Sequence, residues 1–455
     1  MYIVIFIPFF LALLFCIFRS TQRAFLDVYL PFLLFFPFAS YLDLPGMHGL
    51  NFAHLAIIPI FGSFLLSIYF KKPLVNWNFN IVELLVILYF FVCIYSESYN
   101  AGTTYDTLGG SMTINLAVSM ACSVLFPFFL GKYLVFPSGI FVTFCRRFII
   151  YILIDLVLCA YEWRMTDSLF MKVLNPFFAS QLEQPFQLRG GMVRITGPFS
   201  HPILFGIVIA IALFLNHWLT RNHFWKRNFS FLPPLLVSKG NIISFFLFLG
   251  LILTFSRAPL ISTIIAGLFV GLGYSKNKKI SLAIRSLIVI LGLSILSIYY
   301  ASFTEIDPEG EVSESAFYRT QLFTEYQDIL YERFWLGWGS IGLIVKNQMK
   351  SIDNHYLWLA LKHGIFAVLI LLSLLLSNMI QLFFQGMNRR LENKNALAFT
   401  LFSIIFMITL SITTVYMGAQ IEPILFLLLG ISQSFLATNN SKVQNYLNLK
   451  PFQGK

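Results

Sequence analysis

The chain of 455 residues carries a formal charge of +11, with 58% hydrophobic and only 11% charged side chains. With 52 phenylalanines in it, that balance excludes a soluble globule of ordinary surface-to-volume ratio. The basic excess is spread between long apolar runs, so it is topological and points to no nucleic-acid partner.

Apolar stretches of about 17–25 residues are long enough to cross a bilayer as helices, and they do not alternate as barrel strands do. In chain order, spans are predicted at about 2–18, 25–42, 50–70, 79–98, 112–134, 146–163, 199–219, 241–255, 258–274, 282–303, 355–383, 396–417 and 421–437. The expected fold is an all-α polytopic membrane protein of about 12–13 transmembrane helices, a single integral membrane domain over residues 1–455. Tight hairpins at Ser256–Arg257 and Gly418–Glu422 separate the closest spans. The first span starts almost at Met1, lacks a small-residue cleavage site and reads as retained.

Lysine and arginine set the orientation. One set of loops holds Arg19, Arg23, Lys71, Lys72, Arg146, Arg147, Arg221, Lys226, Arg227, Lys239, Lys276, Lys278, Lys279, Arg285, Arg389, Arg390 and Lys394. The tail 438–455 adds Lys442, Lys450 and Lys455, whereas the loops near 43–50, 97–111 and 418–421 hold no lysine or arginine. The basic set is therefore expected in the cytoplasm and the N-terminus outside.

Two external segments break that bias. Residues 164–198 carry Arg164, Lys172, Arg189 and Arg194; residues 304–354 carry Arg319, Arg333, Lys346 and Lys350. Loops of this length are functional or disordered, and their aromatic content argues for order. Phe323, Tyr326, Leu330 and Phe334 recur at helical spacing, predicting an amphipathic helix on the outer membrane surface. Thr166-Asp167-Ser168 is expected to cap a short helix through Val173 that Asn175-Pro176 stops.

Several classes drop out. Cys16, Cys93, Cys122, Cys145 and Cys159 fall in or beside spans, without disulfide or zinc spacing. There is no phosphate-binding loop or dinucleotide fingerprint, no histidine pair at i, i+4, and no strong internal repeat of the kind that builds many transporters. No metal and no cofactor are expected.

Four polar segments remain on the external side: Arg194-Ile-Thr-Gly-Pro-Phe-Ser-His201-Pro, Thr254-Phe-Ser256-Arg257-Ala-Pro259, Tyr318-Arg319 through to Leu336-Gly-Trp-Gly-Ser340, and Asp353-Asn354-His355-Tyr356-Leu357 followed by Gly364. In this order and spacing they resemble the O-antigen ligase and polymerase superfamily of bacterial surface polysaccharides, over about residues 190–440. That pattern has an Arg-x-x-Gly helix start and a Ser-Arg turn two helices later. An arginine-led external helix ending in Gly-x-Gly follows, then an Asn-x-Tyr-Leu start with a glycine about ten residues on. Ligases carry a histidine directly before the asparagine. Here Asp353 stands there and His355 follows Asn354, which favours a polymerase.

The resemblance implies a GT-C-like glycosyltransferase at the external face of the bacterial inner membrane. It would transfer glycan from an undecaprenyl diphosphate-linked oligosaccharide, embedded in membrane lipid, to an acceptor sugar hydroxyl, with a chain-length regulator as a partner protein. Transfer to lipid A core by a ligase is the alternative. A lipid-linked oligosaccharide flippase is a second, weakened by cations that cluster on one face. Charge builds on the departing diphosphate, and planar arginine forks suit its oxygens. Arg194, Arg257 and Arg319 are the expected clamp, with Arg189 as a fourth cation. His355 or Asp353 is the candidate base, His355 placed first, although either residue at a helix start can instead serve the helix end. His201, Asn354, Tyr356 and Trp338 are candidate contacts to acceptor or sugar. Asp155 and Glu162 share a helix face, as do Lys362 and His355, and ion pairs among such residues or with Arg257 are expected.

Overall fold

The computed structural model describes residues 2–37, 40–44, 47–70, 79–104, 109–178, 187–226, 238–306, 311–340, 352–388 and 392–438. Hydrocarbon offers no partner to a backbone N–H or C=O, so apolar runs satisfy themselves as helices. Helical segments occupy 2–18, 21–35, Phe52–Phe70, Ile81–Thr104, 109–135, Phe141–Met165, Pro202–Arg221, Lys239–Leu253, 257–274, Lys278–Ile306, His355–Met387, Glu392–Ser411 and Gly418–Ala437. Each apolar run read from the sequence overlaps one of them.

Length and composition allow seven helices among the described residues to cross a membrane: Phe52–Phe70, Ile81–Asn100, Met112–Val135, Pro202–Arg221, Arg257–Tyr274, His355–Met387 and Gln420–Ala437. Val4–Phe18, Lys239–Leu253 and Ala396–Ser411 are apolar but shorter. The fold is that of an all-α polytopic membrane protein. The smaller number of full-length spans has local causes. Phe141–Met165 carries Arg146, Arg147, Asp155, Glu162 and Arg164. The helix expected to run from 25 to 42 ends at Phe35, and the chain forms a hairpin of Tyr41–Leu44 with Met47–Asn51. The helix expected to reach 417 ends at Ser411, so the turn occupies residues 412–417 and Gly418 already starts the last helix.

Pro202–Arg221 and Gln420–Ala437 are 78% and 83% buried along their spanning stretches, against 39% for Arg257–Tyr274. These two are the most enclosed of the seven, and the Ala396–Ser411 stretch is mostly buried as well.

The two long loops hold helices that differ from expectation. Leu169–Phe178 runs past Pro176 instead of stopping at Val173, because Leu174 and Phe178 pack against Ile5, Leu50 and Phe52. In Glu311–Glu332, Phe323 is exposed, while Leu322 and Tyr326 are buried with Ile352, Leu357 and Leu361. Of the expected stripe, Tyr326 is buried and Leu330 partly so, while Leu322 takes the inward place of Phe323; this face packs on the start of the His355–Met387 helix. Lys346 and Lys350, residues 179–186 and 307–310, the tail 439–455 and the side chain of Arg319 lie outside the described residues.

The loop after Glu332 is built into its neighbours. The His355–Met387 helix breaks at Gly364, with φ 82°. Across the break, Trp338 N donates to Leu361 O at 2.8 Å and Ile365 N donates to Phe334 O at 2.9 Å. The backbones touch here: a Cβ on Gly337 would lie 2.6 Å from Gly364 N, and one on Gly364 would overlap the Trp335 carbonyl. Ser96 Oγ donates to Leu336 O at 2.5 Å, and Glu97 accepts from Ser340 N at 3.1 Å, which ties in the Ile81–Thr104 helix. Gly364→Ala combines a left-handed backbone with this overlap, a cost of at least about 3 kcal/mol. The expected result is a marked fall in the thermal unfolding midpoint in detergent. An unchanged midpoint would mean that this junction is not tight.

Candidate functional site: a cationic cavity at the Arg257 helix start

Arg189 and Arg194 are delivered by a small hairpin. Leu188–Arg189 pairs with Met192–Val193, and the connecting Gly190 and Gly191 have φ of 55° and 74°. Two successive positive φ values make the tight turn that matches strand twist, and glycine adopts them without a Cβ penalty. The loop beyond is held from a distant helix: the buried Glu162 carboxylate accepts from Thr196 N at 2.9 Å, Thr196 Oγ1 at 2.7 Å and Gly197 N at 2.9 Å. His201 then caps the Pro202–Arg221 helix, its Nδ1 accepting from Ile203 N at 3.1 Å.

The turn 254–256 faces this hairpin. Phe255 has φ 46°, a conformation that costs a residue with a Cβ about 1 kcal/mol or more. Its carbonyl accepts from Arg189 Nη1 at 2.9 Å, so the strained turn is clasped by the hairpin. Arg194, 8% exposed, donates to Thr254 O at 3.2 Å, Ser256 Oγ at 2.9 Å and Gln187 Oε1 at 3.0 Å. A guanidinium has five N–H donors, so two remain for a ligand. Burial, with the neighbouring Arg189 charge, lowers its pKa to about 10, leaving it charged at neutral pH.

Arg257 is different. It is exposed, opens its helix, and makes no hydrogen bond or ion pair among the described residues. The Ser256 side chain does not cap this helix; its Oγ donates to Thr254 O at 3.1 Å. The first N–H groups of the helix and its positive dipole end are left without a side-chain cap.

These elements enclose a cavity of about 380 Å³. Arg189, Arg194, His201, Ser256, Arg257 and Asp353 form its polar wall; Ile203, Ala258, Ile261, Ile265 and Leu410 form its apolar wall, with Ser262 and Thr414 between. Ile261 and Ile265 stand one and two turns beyond Arg257 on one helix face. Ser262 Oγ and Ser411 Oγ, 2.8 Å apart, stitch that helix to Glu392–Ser411. The cavity thus offers charge at one side and hydrocarbon at the other, the two things a membrane-tethered anion needs.

Five residues singled out from the sequence meet here: Arg189, Arg194, His201, Arg257 and Asp353. His355, Asn354, Tyr356 and Trp338 are not among its lining residues, and the side chain of Arg319 is outside the described residues. His355 is 2% exposed, stacked 5.9 Å from Trp358 and 5.6 Å from Tyr416, and Met417 N lies 3.5 Å from its Nδ1. Asn354 rather than Asp353 caps the helix, Oδ1 accepting from Leu357 N at 3.1 Å. Tyr356 OH donates to Thr409 O at 3.2 Å, and Trp338 Nε1 to Ile329 O at 2.9 Å, so both rings hold structure together. The ion pairs expected for Asp155 and Glu162 are absent among the described residues: Glu162 clasps the Thr196-Gly197 backbone, and both Asp155 oxygens are buried without a hydrogen-bond partner. Gln187, Leu410 and Thr414 carried no signal in sequence, since only the fold brings them beside Arg194 and Arg257.

Taken together, fold and cavity define a multi-pass membrane protein with a cationic, lipid-compatible site. Residues 242–372 match the family model described as O-antigen ligase, which supports membership of the O-antigen ligase and polymerase superfamily. Members of that family are glycosyltransferase-like enzymes of surface polysaccharide assembly. The matched segment contains Ser256, Arg257, Gly337, Asp353 and Gly364, while Arg189, Arg194 and His201 precede it. No curated protein matches the chain.

Proposed function

We propose that the chain is a polysaccharide polymerase that transfers glycan from an undecaprenyl diphosphate carrier to an acceptor sugar hydroxyl at the external face of the bacterial inner membrane. The observation that carries this reading is Arg257: a guanidinium without a partner among the described residues, at an uncapped helix start, in a cavity shared with two more arginines. A cation held near lipid with no protein partner fits a site that waits for an anion. The cavity volume lies within the range of small-ligand sites. As the glycosidic bond breaks, negative charge collects on the diphosphate, and preorganised arginines stabilise it without reorganising. Asp353 lines the same cavity, which supports it as the base that takes the proton of the attacking hydroxyl. The isoleucine face accommodates the start of the carrier's hydrocarbon chain. Arg319 is proposed as a member of this clamp on the resemblance alone, with Arg189 as the fourth cation, and a chain-length regulator is the proposed partner protein.

Asp353 in place of the ligase histidine favours polymerisation over transfer to lipid A core. A strain lacking the protein distinguishes the two. A polymerase loss leaves single repeat units on the carrier or core; a ligase loss leaves long polymer on the carrier and none on the core. In the complemented strain, Lys172→Cys should react with an impermeant thiol reagent and Lys278→Cys should not. The reverse pattern would place the cavity on the wrong face for a flipped substrate.

A further inference from the structure

His201 is held in one tautomer by the fold. Its Nδ1 accepts the Ile203 N–H at 3.1 Å, so that nitrogen carries no proton and the neutral ring bears its hydrogen on Nε2. Nε2 has no protein hydrogen bond among the described residues, is not sealed away, and belongs to a residue of the cavity wall. The helix start that sets the tautomer is itself fixed, because Glu162 anchors the Thr196-Gly197 backbone a few residues upstream. We infer that His201 is a positioning and specificity residue: a neutral donor whose Nε2–H binds an oxygen of the diphosphate held by the arginines, rather than a base.

The electrostatics agree with the geometry. Burial first, then Arg194 and to a lesser degree Arg189, push the imidazole pKa down to about 4, against an opposing pull from Asp353 that is greater than the push of Arg189 alone. At neutral pH the ring is therefore uncharged. A neutral donor adds a directed hydrogen bond to a site already rich in cations, without further repulsion between positive groups and without tightening the grip on the released diphosphate. It also excludes His201 from taking the acceptor proton, since Nδ1 is occupied and Nε2 already carries a hydrogen.

This inference rests on the glycan-transfer reading, and its test has one arm that does not. The full-length protein, with ¹⁵N-labelled histidine, is reconstituted in lipid nanodiscs. Its spectrum should show His201 with a protonated Nε2 and a bare Nδ1, and the signal is assigned by its loss in His201→Asn. Inorganic pyrophosphate should shift that Nε2 resonance while leaving those of buried His54 and His363 in place. In the activity arm, His201→Asn retains an oxygen that caps the helix but loses the longer donor. Its kcat should fall by about two orders of magnitude, with little change in acceptor KM. His201→Gln, which reaches further and supplies an amide donor, should recover part of that loss. A ring protonated on Nδ1, a pyrophosphate-insensitive Nε2, or wild-type kcat in His201→Asn would each overturn the inference. A pyrophosphate shift in a protein that transfers no glycan from any lipid-linked diphosphate would keep the donor assignment and remove the polymerase reading instead.

Discussion

Arg257→Ala should lower glycan transfer by about two to three orders of magnitude while the protein remains folded in the membrane. The expectation is sharp because this side chain is exposed and makes no bond to the described protein, so its truncation leaves no buried group unpaired. Arg194 is a less clean target. Removing it also strips donors from Thr254 O, Ser256 Oγ and Gln187, and the strained Phe255 turn loses part of its support. Arg257→Lys should recover little, since an ammonium supplies a point charge and not a planar fork for two oxygens. The measurement is turnover of a lipid-linked oligosaccharide by nanodisc-embedded protein, beside membrane yield and unfolding midpoint. Wild-type turnover in Arg257→Ala would end the diphosphate assignment.

Asp353→Asn should reduce kcat by about two to four orders of magnitude and leave donor binding in place. The substitution is nearly isosteric, and the helix cap belongs to Asn354, so the start of the His355–Met387 helix is untouched. His355→Ala serves as the contrast. That ring is buried beside Trp358 and Tyr416 and lies outside the cavity wall, so its loss should appear first as instability, by about 2–4 kcal/mol. The resemblance placed His355 ahead of Asp353; Asp353 lines the cavity and His355 does not, which is the ground for proposing Asp353 as the base. If Asp353→Asn turned over normally while His355→Ala was stable and inactive, the base would have to be the histidine after all.

The features legible from residues alone were those governed by local chemistry. Apolar runs become helices because lipid leaves the backbone no other partner, which is why each run from 2–18 to 421–437 overlaps a helical segment. The Ser256-Arg257 turn was visible because two polar residues interrupt an apolar stretch. The Arg189 hairpin has its sign in Gly190-Gly191, a pair that suits the two positive φ values of its turn. Gly337 and Gly364 were visible as part of a pattern without their cause, since backbone contact between residues 27 apart leaves no trace in either neighbourhood. What tertiary structure alone decided was which polar groups are spent on the protein. Arg194 and Tyr356 spend hydrogen bonds on Thr254, Ser256 and Thr409, partners that lie 53 to 62 positions away along the chain. Arg257 and Asp353 share the cavity, and His201 lends it a single donor, because helix packing brings residues 96 positions apart along the chain to one wall. Sequence names the groups that carry charge; the packing of distant helices decides which of them come to line one cavity.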